Sequence, residues 1–298
     1  MSEYHQPVML AACLDALDIN PNGTYVDLTM GGFGHSREIL ARLVKGKLIA
    51  FDQDEEAKSN IPKDDRVLFI HSNFRYLCRW LHYYGIEKVD GILADLGVSS
   101  HQFDMGSRGF SYRFEGPLDM RMDKRYPLTA ADVLNKSDEK KLADIFFRYG
   151  DIIASRRLAR AIIKQRCRQP FARCEELKMF LDREEFGTDP SYLSRIYQSL
   201  RIAVNEEEMA LAELLPQCAE VLNTGGKLVI LSYHSLEDRM VKNFFRSGDV
   251  YGEEDKNLFG LPTISMRAIH KKPLEPAPDE IIKNPRARSA KLRSAIKI

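Results

Sequence analysis

The chain has 298 residues, 44% hydrophobic and 29% charged, with a formal net charge of only +1, so bulk charge gives no guide to partners. That size fits one large or two modest domains with ample apolar material for a packed core. Five scattered cysteines without a C-x-x-C pair argue against a disulfide framework or zinc site, and no apolar run approaches the ~20 residues that span a bilayer. The first residues lack a basic-then-apolar signal pattern, so a cytoplasmic protein with reduced thiols is expected.

In chain order, short β-rich runs fall near 25–30, 47–52, 67–72 and 91–97, with helical stretches between them. Such alternation predicts right-handed βαβ crossovers and a mostly parallel sheet covered on both faces. Three of these runs close on an acid: Asp27, Asp52 and Asp95. After the first comes Gly31-Gly32-Phe33-Gly34, and a helix is expected to open near His35-Ser36. Glycines there let the backbone turn sharply and approach a ligand, and the helix start offers free N–H groups to a carboxylate. Together with Asp52 they describe a nucleoside cofactor lying across the carboxyl edge of the sheet. A carboxylate at Asp52 can accept from both ribose hydroxyls, each bond contributing roughly 1.5–3 kcal/mol. Blander readings stand beside these: a tight strand–helix turn for the glycines, and a helix N-cap before Glu55-Glu56 for Asp52. Asp95 opens Asp95-Leu96-Gly97-Val98-Ser99-Ser100, where a cap for the next turn is the alternative to a cleft position.

The next strand of this kind is Lys227 to Ser232, preceded by a helix over 205–222 and a Gly225-Gly226 stop. The roughly 130 residues after Gly97 exceed any ordinary connection in a compact α/β domain. A helical insertion over 105–200 is therefore expected, dividing 1–104 and 201–298 from it. Leu142, Ile145, Phe146 and Tyr149 follow helical spacing, as do Leu158, Ala161 and Ile162. Arg108 to Phe114 alternates aromatic and basic residues: Phe110, Tyr112 and Phe114 are candidates to stack an unpaired base while Arg113 meets phosphate. A strand with its aromatics facing a core fits the same alternation. Between Ala154 and Arg173 stand Arg156, Arg157, Arg160, Lys164, Arg166, Arg168 and Arg173 without an acid. The segment after Glu280 repeats this with Lys283, Arg286, Arg288, Lys291, Arg293 and Lys297. Either alone suits a solvated helix face or a disordered tail; both together, beside a nucleoside site, point to RNA or DNA. His234, just past the fifth strand, is a site candidate by position, and a structural histidine is the alternative.

Several strings now matter together: His5-Gln6-Pro7-Val8-Met9-Leu10, Asp27 to Ser36, Asp95 to Ser100, Gly116-Pro117-Leu118-Asp119-Met120-Arg121-Met122-Asp123, Ser232 to Arg239, and Arg286 to Arg293. With them the chain resembles the bacterial 16S ribosomal RNA (cytosine-N4)-methyltransferases, the RsmH or MraW family, from His5 to Arg293. The resemblance implies a class I S-adenosylmethionine-dependent methyltransferase: a Rossmann-like α/β fold with a mostly parallel seven-stranded sheet and an inserted helical substrate-recognition subdomain. It implies S-adenosyl-L-methionine as methyl donor and 16S rRNA, within the 30S subunit, as acceptor. Its cofactor-binding positions fall on Phe33, Gly34, His35, Asp52, Phe74, Asp95 and Gln102, of which Phe74 and Gln102 come from the resemblance alone. Phe33 stands where the family usually has glycine, so the loop is expected to meet the cofactor by backbone, its ring directed away. Tyr149-Gly150-Asp151-Ile152 and Ile196 to Ile202 also depart from the family pattern.

The expected chemistry is direct transfer to the cytosine N4 amine, in which catalysis is mostly alignment. Asp95 as an acceptor would orient the N–H bonds, turning the nitrogen lone pair out of ring conjugation, with His234 the second catalytic candidate. No metal and no cysteine nucleophile are expected. Two rivals are a nicotinamide-dependent oxidoreductase, which lacks a Tyr-x-x-x-Lys companion here, and an RNA-binding assembly factor without activity, against which the intact acid set argues.

Overall fold

Among the described residues, apolar runs bounded by glycine or polar turns build seven strands: β1 (Thr24–Asp27), β2 (Lys47–Asp52), β3 (Val67–His71), β4 (Val89–Asp95), β5 (Leu222–Ser232), β6 (Met266–Ala268) and β7 (Lys291–Lys297). They are seen in a computed structural model that describes residues 7–186, 189–253 and 264–298. His5 and Gln6 of the motif named above lie outside the described residues. The strands form one sheet in the order β3-β2-β1-β4-β5-β7-β6. β1 to β5 run parallel, while β7 is antiparallel to both β5 and β6. From β1 the chain moves outward through β2 to β3 and then returns to the other side of β1 as β4. That reversal opens a crevice at the carboxyl ends of β1 and β4.

Side chains alternate between two apolar layers, as the period of two in a strand requires. Val26, Ile49, Phe51, Ile92, Leu228 and Ile230 join one cluster; Tyr25, Leu48, Ala50, Leu93, Val229 and Leu231 join the other. Both faces are buried, which is why these strands read as nearly continuous hydrophobic runs.

The chain divides into two compact units: Met1–Gly97 with Glu208–Ile298, and Val98–Glu207. The second is wider at both ends than the 105–200 read from the sequence. Its helices Ala130–Lys136, Glu139–Gly150, Ser155–Arg166, Cys174–Arg183 and Pro190–Asn205 surround Leu134, Phe146, Leu158, Ile162, Leu177, Ile196 and Leu200. Their starts are encoded locally. Thr129 and Asp132 form a capping box, the Asp138 side chain accepts from Lys141 N–H, and Asp189 caps a helix with proline at its first position.

Three expectations are corrected. The helix before β5 runs Glu207–Val221, and Gly225-Gly226 lies inside β5, where the pairing with β4 slips between Val89 and Gly91. Phe110 does not alternate on a strand; it is 6% exposed within the helical unit's core, so its ring is not free to stack a base. The basic segment after Glu280 is not a loose tail, because Lys291–Lys297 is an interior strand held by β5 on one side and β6 on the other. Arg293 there is structural: Nε and Nη2 donate to the two Asp238 oxygens at 2.7 and 3.2 Å, with side chains 10% and 14% exposed.

A pair this buried costs more to break than to keep, since the surviving charge loses its partner. Asp238→Ala is expected to lower unfolding free energy by about 3 kcal/mol in urea titrations; a change within about 0.5 kcal/mol would show the pair to be incidental.

Candidate active site

The three strand-end acids are all where the sequence puts them, at the last residues of β1, β2 and β4. Asp27 is buried at 1% exposure; Oδ2 accepts the Ser36 hydroxyl at 2.6 Å and Oδ1 the Thr29 N–H at 3.1 Å. Burial nonetheless pushes its carboxyl up from the ordinary value. It braces β1 against the start of the helix Gly34–Arg42 and is spoken for by the protein.

Asp52 is half-buried and works on the loop. Oδ2 accepts Gly31 N–H at 2.7 Å and Oδ1 accepts Asp54 N–H at 2.8 Å. Asn60 Nδ2 holds the Gly31 carbonyl at 3.0 Å from the other side. Desolvation raises the Asp52 carboxyl to about 6, against the lowering effect of those two N–H donors. Each oxygen has taken one donor and retains capacity for another.

The loop crosses into left-handed backbone at two places, Gly31 (φ 49°) and Phe33 (φ 64°). Phe33 is an uncommon residue for that conformation, which costs an L side chain of order 1–3 kcal/mol. It explains why glycine would be preferred there, and the ring compensates by being 3% exposed in the apolar cluster of Met30, Ile39 and Leu40. At Gly34 a Cβ would lie 2.4 Å from Pro7 Cγ, so no larger residue fits without moving that proline. Phe33 then precedes the helix without a side-chain cap, leaving the first-turn N–H groups to other partners.

Asp95 is the least committed of the three. Its own N–H donates to Thr29 Oγ1 at 2.7 Å, and its side chain is 24% exposed. Oδ1 accepts the Tyr233 hydroxyl at 2.7 Å; Oδ2 lies 3.8 Å from His35 Nδ1. Burial is the main cause that raises the Asp95 carboxyl, offset by His35 and the Tyr233 bond. His35 Nε2 lies 3.0 Å from the Val8 carbonyl oxygen. Cys13, buried in the helix Leu10–Leu17, is raised well above the usual thiol value by burial and then by Asp95 and Asp27. It stays a thiol, not a nucleophilic thiolate.

The other candidates fare unevenly. Phe74 opens a short 3-10 turn, partly buried against the β-sheet core. Gln102 lies in the second unit, 4% exposed, its Oε1 accepting Ser99 N–H at 3.1 Å in a capping box. His234 precedes the helix Ser235–Ser247, and its Nε2 sits 3.0 Å from Glu237 Oε1 without hydrogen-bond alignment. Arg113, Arg156, Arg157, Arg160 and Arg288 are exposed. Arg157 lies over the Phe186 ring at 4.6 Å and Arg160 pairs with Glu139 at 2.9 Å. Arg166 is committed, donating to the carbonyls of Leu134 and Ser137. Sequence reasoning missed Tyr233 and Thr29 as Asp95 partners. For Tyr233 the signal was available: it follows the end of β5, whose Leu231 is in register with Asp95.

Residues 2–298 match the model described as the MraW methylase family. The chain belongs to that family. A relative from Bacteroides fragilis, named ribosomal RNA small subunit methyltransferase H, is 52% identical over 99% of this chain and 97% of its own length. Proteins of the same name from Bacteroides thetaiotaomicron and Christiangramia forsetii are 50% and 47% identical, covering 99% and 100% of this chain and 97% and 99% of their own. Among the described residues no helix is long and apolar enough to cross a membrane. Within this methylase the left-handed Phe33 gives a sharp test. Phe33→Gly should be less destabilising than Phe33→Ala by about 1 kcal/mol, since both lose the ring but only glycine accepts that backbone freely. Urea midpoints of the two variants check it, and an alanine variant as stable as the glycine one would show no strain at φ 64°.

Proposed function

We propose that this methylase transfers a methyl group from S-adenosyl-L-methionine to the N4 amine of a cytidine in the decoding region of 16S rRNA, within the 30S subunit. One observation carries the reading: three carboxylates end the adjacent parallel strands β2, β1 and β4 of one sheet, beside a left-handed loop that opens a helix. Family membership and the small-subunit rRNA methyltransferases at about half identity supply its substrate class.

The residues fit an S-adenosyl group. Asp52 presents two oxygens, each with one N–H already in place, which suits a pair of ribose hydroxyls. Backbone N–H groups at the start of the helix Gly34–Arg42, next to His35, suit a carboxylate. Phe33 and Gly34 contribute backbone and Phe74 an apolar surface. When bound, the cofactor supplies a methyl carbon already activated by its sulfonium.

What remains for the protein is orientation and a proton. Asp95 Oδ2, to which no described residue donates a hydrogen bond, accepts an amine N–H and holds the nitrogen lone pair toward the methyl carbon. The same oxygen is the site for the proton released. His234 acts at one remove: it lies against Glu237, whose Oε2 holds the Tyr233 N–H at 2.9 Å. Arg113, Arg156, Arg157 and Arg288 are exposed and suit phosphate contacts, and Arg160 would have to exchange Glu139 for a phosphate, which makes binding salt-dependent.

Asp95→Ala should slow single-turnover methylation of 30S particles by about 100-fold at saturating donor. Tritiated donor reads this directly; a wild-type rate with unchanged donor affinity would sink the proposal. The raised Asp52 carboxyl sets the acid side of cofactor binding. Ribose recognition needs the ionised form, so the Kd for S-adenosylhomocysteine should be flat above about pH 7 and weaken toward tenfold per unit below about 6. Titration calorimetry between pH 5 and 8 measures it, and a flat profile would exclude Asp52 from the site.

A further inference from the structure

We propose that Tyr233 is a positioning residue: its hydroxyl fixes Asp95 through Oδ1 and reserves Oδ2 for an incoming N–H donor. The assignment of that donor as the nucleobase amine rests on the function proposed above; the Tyr233–Asp95 relation does not.

A carboxylate turns about its Cβ–Cγ bond, and a donor held in one place fixes the plane of its two equivalent oxygens, engaging one and directing the other. Tyr233 is such a donor, at 2.7 Å from Oδ1. It is itself anchored. Its N–H is held by Glu237 Oε2 at 2.9 Å, its ring packs partly buried against the apolar cluster of Leu93 and Leu231, and it directly follows β5. Asp95 is fixed from the backbone side by its N–H to Thr29 Oγ1. With both ends pinned, the carboxylate plane has one orientation.

His35 completes the case for Oδ2. A carbonyl oxygen only accepts, so the Nε2 facing Val8 O at 3.0 Å carries the proton. In the neutral ring, Nδ1 is then a lone pair. At 3.8 Å from Oδ2 it is too far to satisfy that oxygen in either charge state. Oδ2 therefore keeps an acceptor position that neither Tyr233 nor His35 fills, which suits an N–H-bearing guest.

The groups acting on Asp95 come from every neighbouring element: His35 from the helix Gly34–Arg42, Asp27 from β1, Glu237 from the helix Ser235–Ser247, Cys13 from the helix Leu10–Leu17, and Tyr233. Asp27 and Glu237 favour the protonated form; His35 and Tyr233 favour the anion. Removing the phenol hydroxyl leaves the first pair opposed by His35 alone. The Asp95 carboxyl should then rise.

The test is Tyr233→Phe, which deletes one oxygen, read in two ways. Without cofactor, the Asp95 carboxyl is titrated by carbon-13 NMR and assigned by its loss in Asp95→Asn. The expected shift is about one pH unit upward in Tyr233→Phe. Under single turnover on 30S particles, the acid limb of the rate profile should move up by the same amount, with about a tenfold lower maximal rate and a half-saturating donor concentration within about twofold. A fluorotyrosine placed at 233 keeps the ring and strengthens the donor, so it should move the carboxyl the other way and decides the matter if the phenylalanine variant folds poorly. An Asp95 titration unmoved in both variants overturns the role. A titration that moves in the variants, while the wild-type protein methylates nothing, keeps the role and removes the proposed function instead.

Discussion

A carboxylate buried at the end of a parallel strand persists only where donors replace the water it has lost. Asp27, Asp52 and Asp95 meet this requirement in three ways, and the differences assign their work. Asp27 spends both oxygens on the protein, on Ser36 and Thr29, and ties β1 to the helix that follows. Asp52 takes one backbone N–H on each oxygen and so fixes the loop while keeping acceptor capacity. Among the described residues Asp95 receives one side-chain donor, Tyr233, on Oδ1 and none on Oδ2. The gradient from saturated to open runs from the brace to the reacting group.

The sheet edge was legible in the sequence because a doubly covered parallel sheet writes itself as apolar runs, and an acid closing such a run stands out. β1, β2 and β4 each end on the acid that marked them. What escaped was decided by partners far away in the chain. Tyr233 reaches Asp95 across 138 positions and Arg293 reaches Asp238 across 55. A basic residue count cannot distinguish Arg293, locked in an ion pair on an interior strand, from Arg156, exposed on a helix. The aromatic–basic alternation at 108–114 misled for a related reason. Strand periodicity and a loop that tucks one ring into a core produce the same string, and Phe110 belongs to the second kind.

The same sorting changes the picture of the helical unit's charge. Of the basic residues between Arg156 and Arg173, Arg166 holds two carbonyls, Arg160 pairs with Glu139 and Arg173 with Glu175. Arg157 keeps its charge outward but rests on Phe186, which orients the guanidinium while leaving its edge for an anion. The effective field is thus smaller than the sequence suggested and better defined in direction, which favours a few oriented phosphate contacts over diffuse attraction.

Rigidity at the loop after β1 comes from segments distant in sequence. Met9, itself left-handed at φ 49°, donates its N–H to Glu280 Oε1, and the neighbouring Val8 carbonyl receives His35 Nε2. Pro7 fills the space beside Gly34 that a side chain would need. Residues 7–9 therefore sit between the helix Pro278–Lys283 and the helix Gly34–Arg42, so that the His35 ring is held from outside its own helix. A left-handed phenylalanine is tolerable in such a setting because its neighbours on both sides are already fixed. The strain at Phe33 and the packing at Pro7 are two expressions of one requirement, that the loop backbone keep its shape before any ligand arrives. A glycine at 33 would relax the first, but with the freedom glycine brings it would give up part of that preorganisation.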